Sequence, residues 1–161
     1  MNITSVKQDL PKQLLSSLET RGLTTFLPAQ AKAIDAGLLN HNQNLLICTP
    51  TASGKTLIAE IAITKAIYEN IGKAIYIVPL KALATEKYME FKDRYPDLQI
   101  ALSIGSTDSA DNFLARYDIV VTTSEKLDSE IRHDATWLKD VKVVIIDEIH
   151  LLHDSRGPVL E

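Results

Sequence analysis

Apolar residues change their spacing near residue 40, and the change separates two kinds of structure. Before it, Leu10, Leu14, Leu15 and Leu18 fall at three- and four-residue steps, on one face of a helix. Asp9 and Pro11 are start signals for that helix and Gly22 is its stop. A second short helix is predicted over about 28–39, with Ala29, Ala33 and Ile34 facing inward. Five short apolar runs follow, at 45–48, 74–78, 100–104, 119–121 and 143–146. The clearest of them do not alternate, which is how strands buried on both faces read. Helical stretches lie between them. In one, Leu80, Leu83, Ala84, Tyr88, Phe91 and Tyr95 recur at helical spacing until Pro96 ends the pattern. Strand alternating with helix predicts an α/β fold with a mostly parallel sheet of about five strands and helices on both faces. Ligands of such sheets bind beyond the carboxyl ends of the strands, so chemistry is sought there.

Composition narrows the picture modestly. A chain of 161 residues suits one domain with a sizeable core, and 45% hydrophobic with 24% charged residues is ordinary for a globular protein. No apolar run approaches the ~20 residues that span a bilayer, and the N-terminus has no secretory signal pattern. Cys48 is the only cysteine, which fits a reducing, cytoplasmic compartment. Its place at the end of an apolar run predicts burial. A net charge of −4 argues against binding nucleic acid through bulk positive charge, so any such contact must be local.

Two strand ends carry unusual residues. The stretch CTPTASGKT (48–56) has the Gly54-Lys55-Thr56 ending of a phosphate-binding loop, yet Thr49 stands where the usual pattern has its first glycine. A predicted strand before it and a helix after it are the context such a loop requires. Backbone N–H groups and the helix N-terminus would cradle phosphate, Lys55 would reach the β/γ-phosphates, and the Thr56 hydroxyl would ligate Mg²⁺. A solvated Gly-Lys-Thr turn is the other reading of these residues alone. The second strand end, VVIIDEIH (143–150), tips the balance. Adjacent carboxylates repel one another unless a cation or solvent sits between them. Asp147 would hold Mg²⁺ and Glu148 would orient and deprotonate an attacking water.

PTASGKT together with DEIH resembles the superfamily-two DExH-box helicases. FLPAQAKAI (26–34) resembles their Gln motif, and VPLKALATEKYMEF (78–91) and VVTTSEKLDSEIR (120–132) resemble motifs that follow later strands. Together they look most like the superkiller-type branch, especially archaeal DNA helicases related to HelQ. The resemblance implies a three-layer RecA-like nucleotide-binding domain with ATP and Mg²⁺ as cofactors. Residues 1–40 would form a helical segment with the Gln motif, and 41–161 a partial first RecA-like domain. ATP would be bound by Gln30, Thr51, Ala52, Ser53, Gly54, Lys55 and Thr56, with Gln30 reading adenine and Phe26 or Leu27 packing on the base. Without the family, an exposed helix glutamine is the plainer reading of Gln30. Lys55, Asp147 and Glu148 would be catalytic, and Thr56 and Asp147 the Mg²⁺ ligands. Pro79, Lys81, Thr122, Thr123, Ser124 and Lys126 would grip one nucleic-acid strand by its phosphates, unless Thr123 or Ser124 simply caps the next helix. His150 would couple the nucleotide site to the rest of the motor. His150 and His153 have no third ligand for zinc, and Trp137 reads as packing rather than a base-stacking platform.

The implied function is the ATP-binding motor domain of a 3′-to-5′ DNA helicase in DNA repair or replication-fork processing, acting on single-stranded or forked DNA. An RNA helicase and a nucleotide-binding module without hydrolysis are the alternatives. The sequence contains no Ser-Ala-Thr motif and no second RecA-like domain. In the family, the Ser-Ala-Thr strand lies between the strands of the phosphate loop and DEIH. A truncated sheet with a gap is therefore expected, with weak nucleotide binding and little turnover by this chain alone.

Overall fold

The computed structural model describes residues 1–40, 43–50, 53–105 and 111–149. They group into two compact units, Met1–Ile71 and Gly72–Glu161.

The first unit is helical. A 3₁₀ segment, Ile3–Asp9, is capped by Asn2, whose side chain accepts from the Thr4 N–H. Helix α1 (Lys12–Thr20) buries Leu14, Leu15 and Leu18 and stops before Gly22. Helix α2 (Pro28–Asp35) has proline in its first turn and buries Ala33 and Ile34, while Ala29 is half-buried. A 3₁₀ turn at Leu38–Asn40 replaces the last turn of the predicted helix. Helix α3 (Lys55–Tyr68) is the most apolar of these, with Ile61 and Ile63 fully buried. Its Glu60 is also fully buried, and Arg21 meets it bidentately at 3.2 and 2.8 Å. The buried carboxylate thus has the fork of donors it requires.

Residues 45–48 form no strand, which corrects one expectation. Leu46 is 70% exposed and Cys48 is exposed instead of buried. An apolar run becomes a strand only where a neighbour pairs its backbone groups, and no described residue pairs with this one.

The second unit holds the sheet. Strands β1 (Lys73–Val78), β2 (Ile100–Ser103), β3 (Ile119–Thr123) and β4 (Val141–Ile146) are all parallel, in the order β2-β3-β1-β4. Among the described residues the sheet has four strands, where about five were expected. Helix α4 (Lys81–Arg94) follows β1 and α5 (Ser124–Arg132) follows β3. Ile75, Ile77, Val120, Leu114 and Trp137 share one apolar core, so Trp137 is a packing residue as its sequence context implied. Leu80, read as part of the apolar face of α4, is 52% exposed. Gly72 lets the start of β1 come close to β4, since a Cβ there would lie 2.7 Å from the Asp140 carbonyl oxygen. Strands β1 and β3 are almost wholly buried, but β4 alternates and Val144 is 53% exposed. The unbroken apolar run VVII therefore does not mark a strand covered on both faces here. Among the described residues β4 has one strand neighbour, β1.

Candidate functional site

The phosphate-loop residues lie in the first unit. Gly54 enters α3 with φ +80°, and a Cβ there would stand 2.1 Å from Gln30 Nε2. The left-handed backbone favours glycine, and any side chain here would displace the Gln30 amide. The Lys55 ammonium donates to the Thr49 carbonyl oxygen at 3.2 Å, and the Thr49 and Ser53 hydroxyls are 2.6 Å apart. The two ends of the loop are thus tied together by its own side chains. The first N–H groups of α3 have no carbonyl partner within the helix. With the Lys55 ammonium they are a donor set that fits phosphate oxygens, and the half-buried Thr56 hydroxyl is a hard oxygen suited to Mg²⁺. Thr51 and Ala52 lie outside the described residues.

Gln30 is only 4% exposed, so it is not a solvated helix glutamine. Its Oε1 accepts from the Leu27 N–H at 2.8 Å and its Nε2 donates to the Gly54 carbonyl oxygen at 3.1 Å. One amide therefore joins the start of α2 to the end of the phosphate loop. Phe26 is buried, whereas Leu27 is 46% exposed and is the more accessible of the two base-packing candidates.

The acidic pair lies in the second unit, at the carboxyl end of β4. The Asp147 N–H donates to the Ile77 carbonyl oxygen at 2.9 Å, continuing the β1–β4 ladder one residue further. Tyr76, on β1, donates its hydroxyl to Asp147 Oδ2 at 2.8 Å, and the Glu148 N–H donates to Oδ1 at 3.0 Å. Each carboxylate oxygen thus has a donor. Burial first, then the Asp147 charge and hydrogen bond, push the Tyr76 phenol far above its usual range, so it remains a donor. Glu148 has φ +58°, uncommon for a residue with a Cβ. The chain therefore turns sharply where the second acid is presented. Tyr76 was not singled out in the sequence, although a lone tyrosine in an aliphatic strand is a signal: a buried phenol seeks a partner. His150 and His153 lie outside the described residues.

The residues read as a nucleic-acid grip are distributed unevenly. Lys81, at the start of α4, is exposed, and Pro79 just before it is buried. Thr122 is buried and donates its hydroxyl to the Ser103 carbonyl oxygen at 2.8 Å, across β3 and β2. Thr123 holds the N-cap position of α5 but makes no side-chain capping bond, and the Ser124 hydroxyl lies 3.3 Å from Glu125. Lys126 differs from the expectation. It is 3% exposed, with its ammonium 3.0 Å from Asp111 Oδ2 and 3.0 Å from Glu130 Oε1. Burial works to lower its pKa, but hydrogen bonds and charges from Glu130 and Asp111 outweigh that and leave it raised. Lys126 is thus a buried cation with Asp111 and Glu130 among its partners, as a lysine in a low-dielectric interior needs counter-charges.

Comparison with known proteins adds independent findings. The family profile described as "DEAD/DEAH box helicase" matches residues 27–161. The chain is 49% identical over 155 residues to the "ATP-dependent DNA helicase Hel308" of Pyrococcus abyssi, covering 95% of this chain and 22% of that protein. It is also 49% identical, over 157 residues, to the protein of the same name from Methanocaldococcus jannaschii, covering 92% of this chain and 13% of the relative. The chain thus spans about a fifth or less of the length of these relatives. Among solved structures, the helicase MrfA bound to DNA and AMPPNP superimposes with a TM-score of 0.71 at 25% identity, covering 89% of this chain and 22% of that one. The same helicase bound to DNA gives a TM-score of 0.77. Since the family profile matches most of its length, the chain belongs to the DEAD/DEAH box helicase family.

Proposed function

We propose that this chain is the ATP-binding part of an ATP-dependent DNA helicase, with DNA taken as the substrate from the printed names of its relatives. The observation that carries the reading is the acidic pair beyond β4, where Asp147 is held by Tyr76 and by the Glu148 N–H and the backbone turns at Glu148. In this reading residues 1–40 carry the adenine-reading Gln30 and 41–161 form part of the first RecA-like domain. Ser53, Gly54 and Lys55, with Thr51 and Ala52, bind the phosphates. Thr56 and Asp147 would be the oxygen donors for Mg²⁺, which when bound would neutralise charge on the phosphates. Glu148 orients the attacking water and takes its proton. Lys81, with the hydroxyl groups of Thr123 and Ser124 and the backbone near Pro79 and Thr122, contacts the nucleic-acid backbone, and His150 couples the two functions. Unwinding from 3′ to 5′, action at forked DNA and a place in the cytoplasm or nucleoid belong to the same reading. No helix among the described residues is long and apolar enough to cross a membrane.

The test is Glu148→Gln in the full-length protein, which should retain ATP binding and lose at least ~10²-fold in DNA-stimulated turnover. Turnover equal to wild type would remove Glu148 from this role. Parallel assays with single-stranded DNA and RNA distinguish the two substrates.

A further inference from the structure

Four side chains of the second unit, none of them in the phosphate or acidic groups, form a polar cluster. Lys126 bridges Asp111 and Glu130 as described above. Both Glu130 oxygens also accept from the Asp111 N–H, at 3.2 and 3.1 Å, and Oε2 accepts from the Trp137 indole N–H at 3.1 Å. Glu130 is 1% exposed and Trp137 2%. The members come from three separate stretches. Asp111 precedes the 3₁₀ turn Asn112–Arg116 that leads to β3, Lys126 and Glu130 lie on α5, and Trp137 lies in the 3₁₀ turn Thr136–Asp140 that leads to β4. Exposed ion pairs contribute little, but breaking a buried pair leaves an uncompensated charge.

The cluster lies close to the carboxyl end of β3, because α5 begins immediately after that strand and Lys126 is in its first turn. We propose that Lys126 is a positioning residue for the nucleic-acid-facing start of α5 rather than a phosphate contact. Its ammonium joins α5 to the chain entering β3, and Glu130 extends the join to the chain entering β4. Together they hold Thr123 and Ser124 in one placement. This inference rests on the nucleic-acid reading proposed above.

Salt-dependent binding of single-stranded DNA by the full-length protein tests it, with Lys126→Met and Glu130→Gln measured beside wild type. Positioning predicts that both variants bind about tenfold more weakly, with the slope of log affinity against log salt unchanged. A lysine on phosphate predicts opposite signs. Lys126→Met would then shallow the slope by ~0.7, and Glu130→Gln, which removes a competing negative charge, would tighten binding. That pattern overturns the proposal, as does unchanged affinity in both variants. Thermal melts of the two single variants and the double variant test the cluster without any nucleic acid. The double variant should lose clearly less than the sum of the singles, and additive losses overturn the proposal. If a variant fails to fold at the binding temperature, Asp111→Asn replaces it with the same expected direction. Wild type that does not bind single-stranded DNA sinks the nucleic-acid reading itself, an outcome distinct from additive melts.

Discussion

Gly54 shows how much one missing side chain can decide. Its left-handed backbone and the 2.1 Å approach of Gln30 Nε2 to the site of a Cβ act together. Gly54→Ala should therefore cost more than ~1 kcal/mol in urea unfolding and weaken nucleotide binding. In a Gln30→Ala background the steric part of the loss should disappear while the backbone part remains. Equal losses in both backgrounds would show that the contact with Gln30 is unimportant. Tyr76 makes a complementary case, because it supplies the hydroxyl on one oxygen of Asp147. Tyr76→Phe keeps the ring packing and removes that donor, so it should destabilise the fold by about 1–2 kcal/mol. Gly54 and Asp147 were legible as letters of known patterns. The partners of those residues were not, because Gln30 and Tyr76 reach them from 24 and 71 positions away in the sequence.

At the scale of elements, pattern was a good guide where packing agreed with it. Helices α1, α3 and α4 and all four strands lie close to the predicted runs, since three- and four-residue spacing follows the helix period and unbroken apolar runs favour extended structure. Ion pairs inside elements were less visible. Glu60 breaks the apolar face of α3, and Arg21, arriving from just beyond α1, brings a fork of donors that helps make its burial tolerable. Arg21→Ala leaves the carboxylate without that fork and should cost about 3 kcal/mol, read as a lower urea midpoint with an unchanged slope. A loss below about 1 kcal/mol would mean that the other interactions of Glu60 suffice. Lys126 repeats the lesson on α5. A lysine in a motif that resembles a nucleic-acid grip reads as a donor to phosphate, and its burial between two acids emerges only once Asp111 and Glu130 are brought beside it.

At the scale of the molecule, the parallel sheet has the expected character, with four strands among the described residues. Strand β4 has a single strand neighbour among the described residues and exposes Val144. Half-covered apolar strands at a sheet edge promote association between chains. Val144→Lys should raise the concentration at which this chain begins to scatter light, and should change its stability by no more than about 0.5 kcal/mol. Scattering identical to wild type would show that this edge does not drive association. The contrast between 143–146 and 45–48 is physical. Both are apolar runs of strand-like composition, but one pairs with β1 and the other has no described partner. Local sequence by itself determined the helices, the preference of each apolar run for extended structure, and the chemistry available at Gly54, Lys55, Thr56, Asp147 and Glu148. Those properties depend on side chains and their immediate spacing. Only the tertiary structure decided which runs became strands, that Gln30 bonds to Leu27 and Gly54, and that Lys126 is a buried cation. Hydrogen-bond partners and counter-charges come from distant parts of the chain, and no local pattern specifies which of them will arrive.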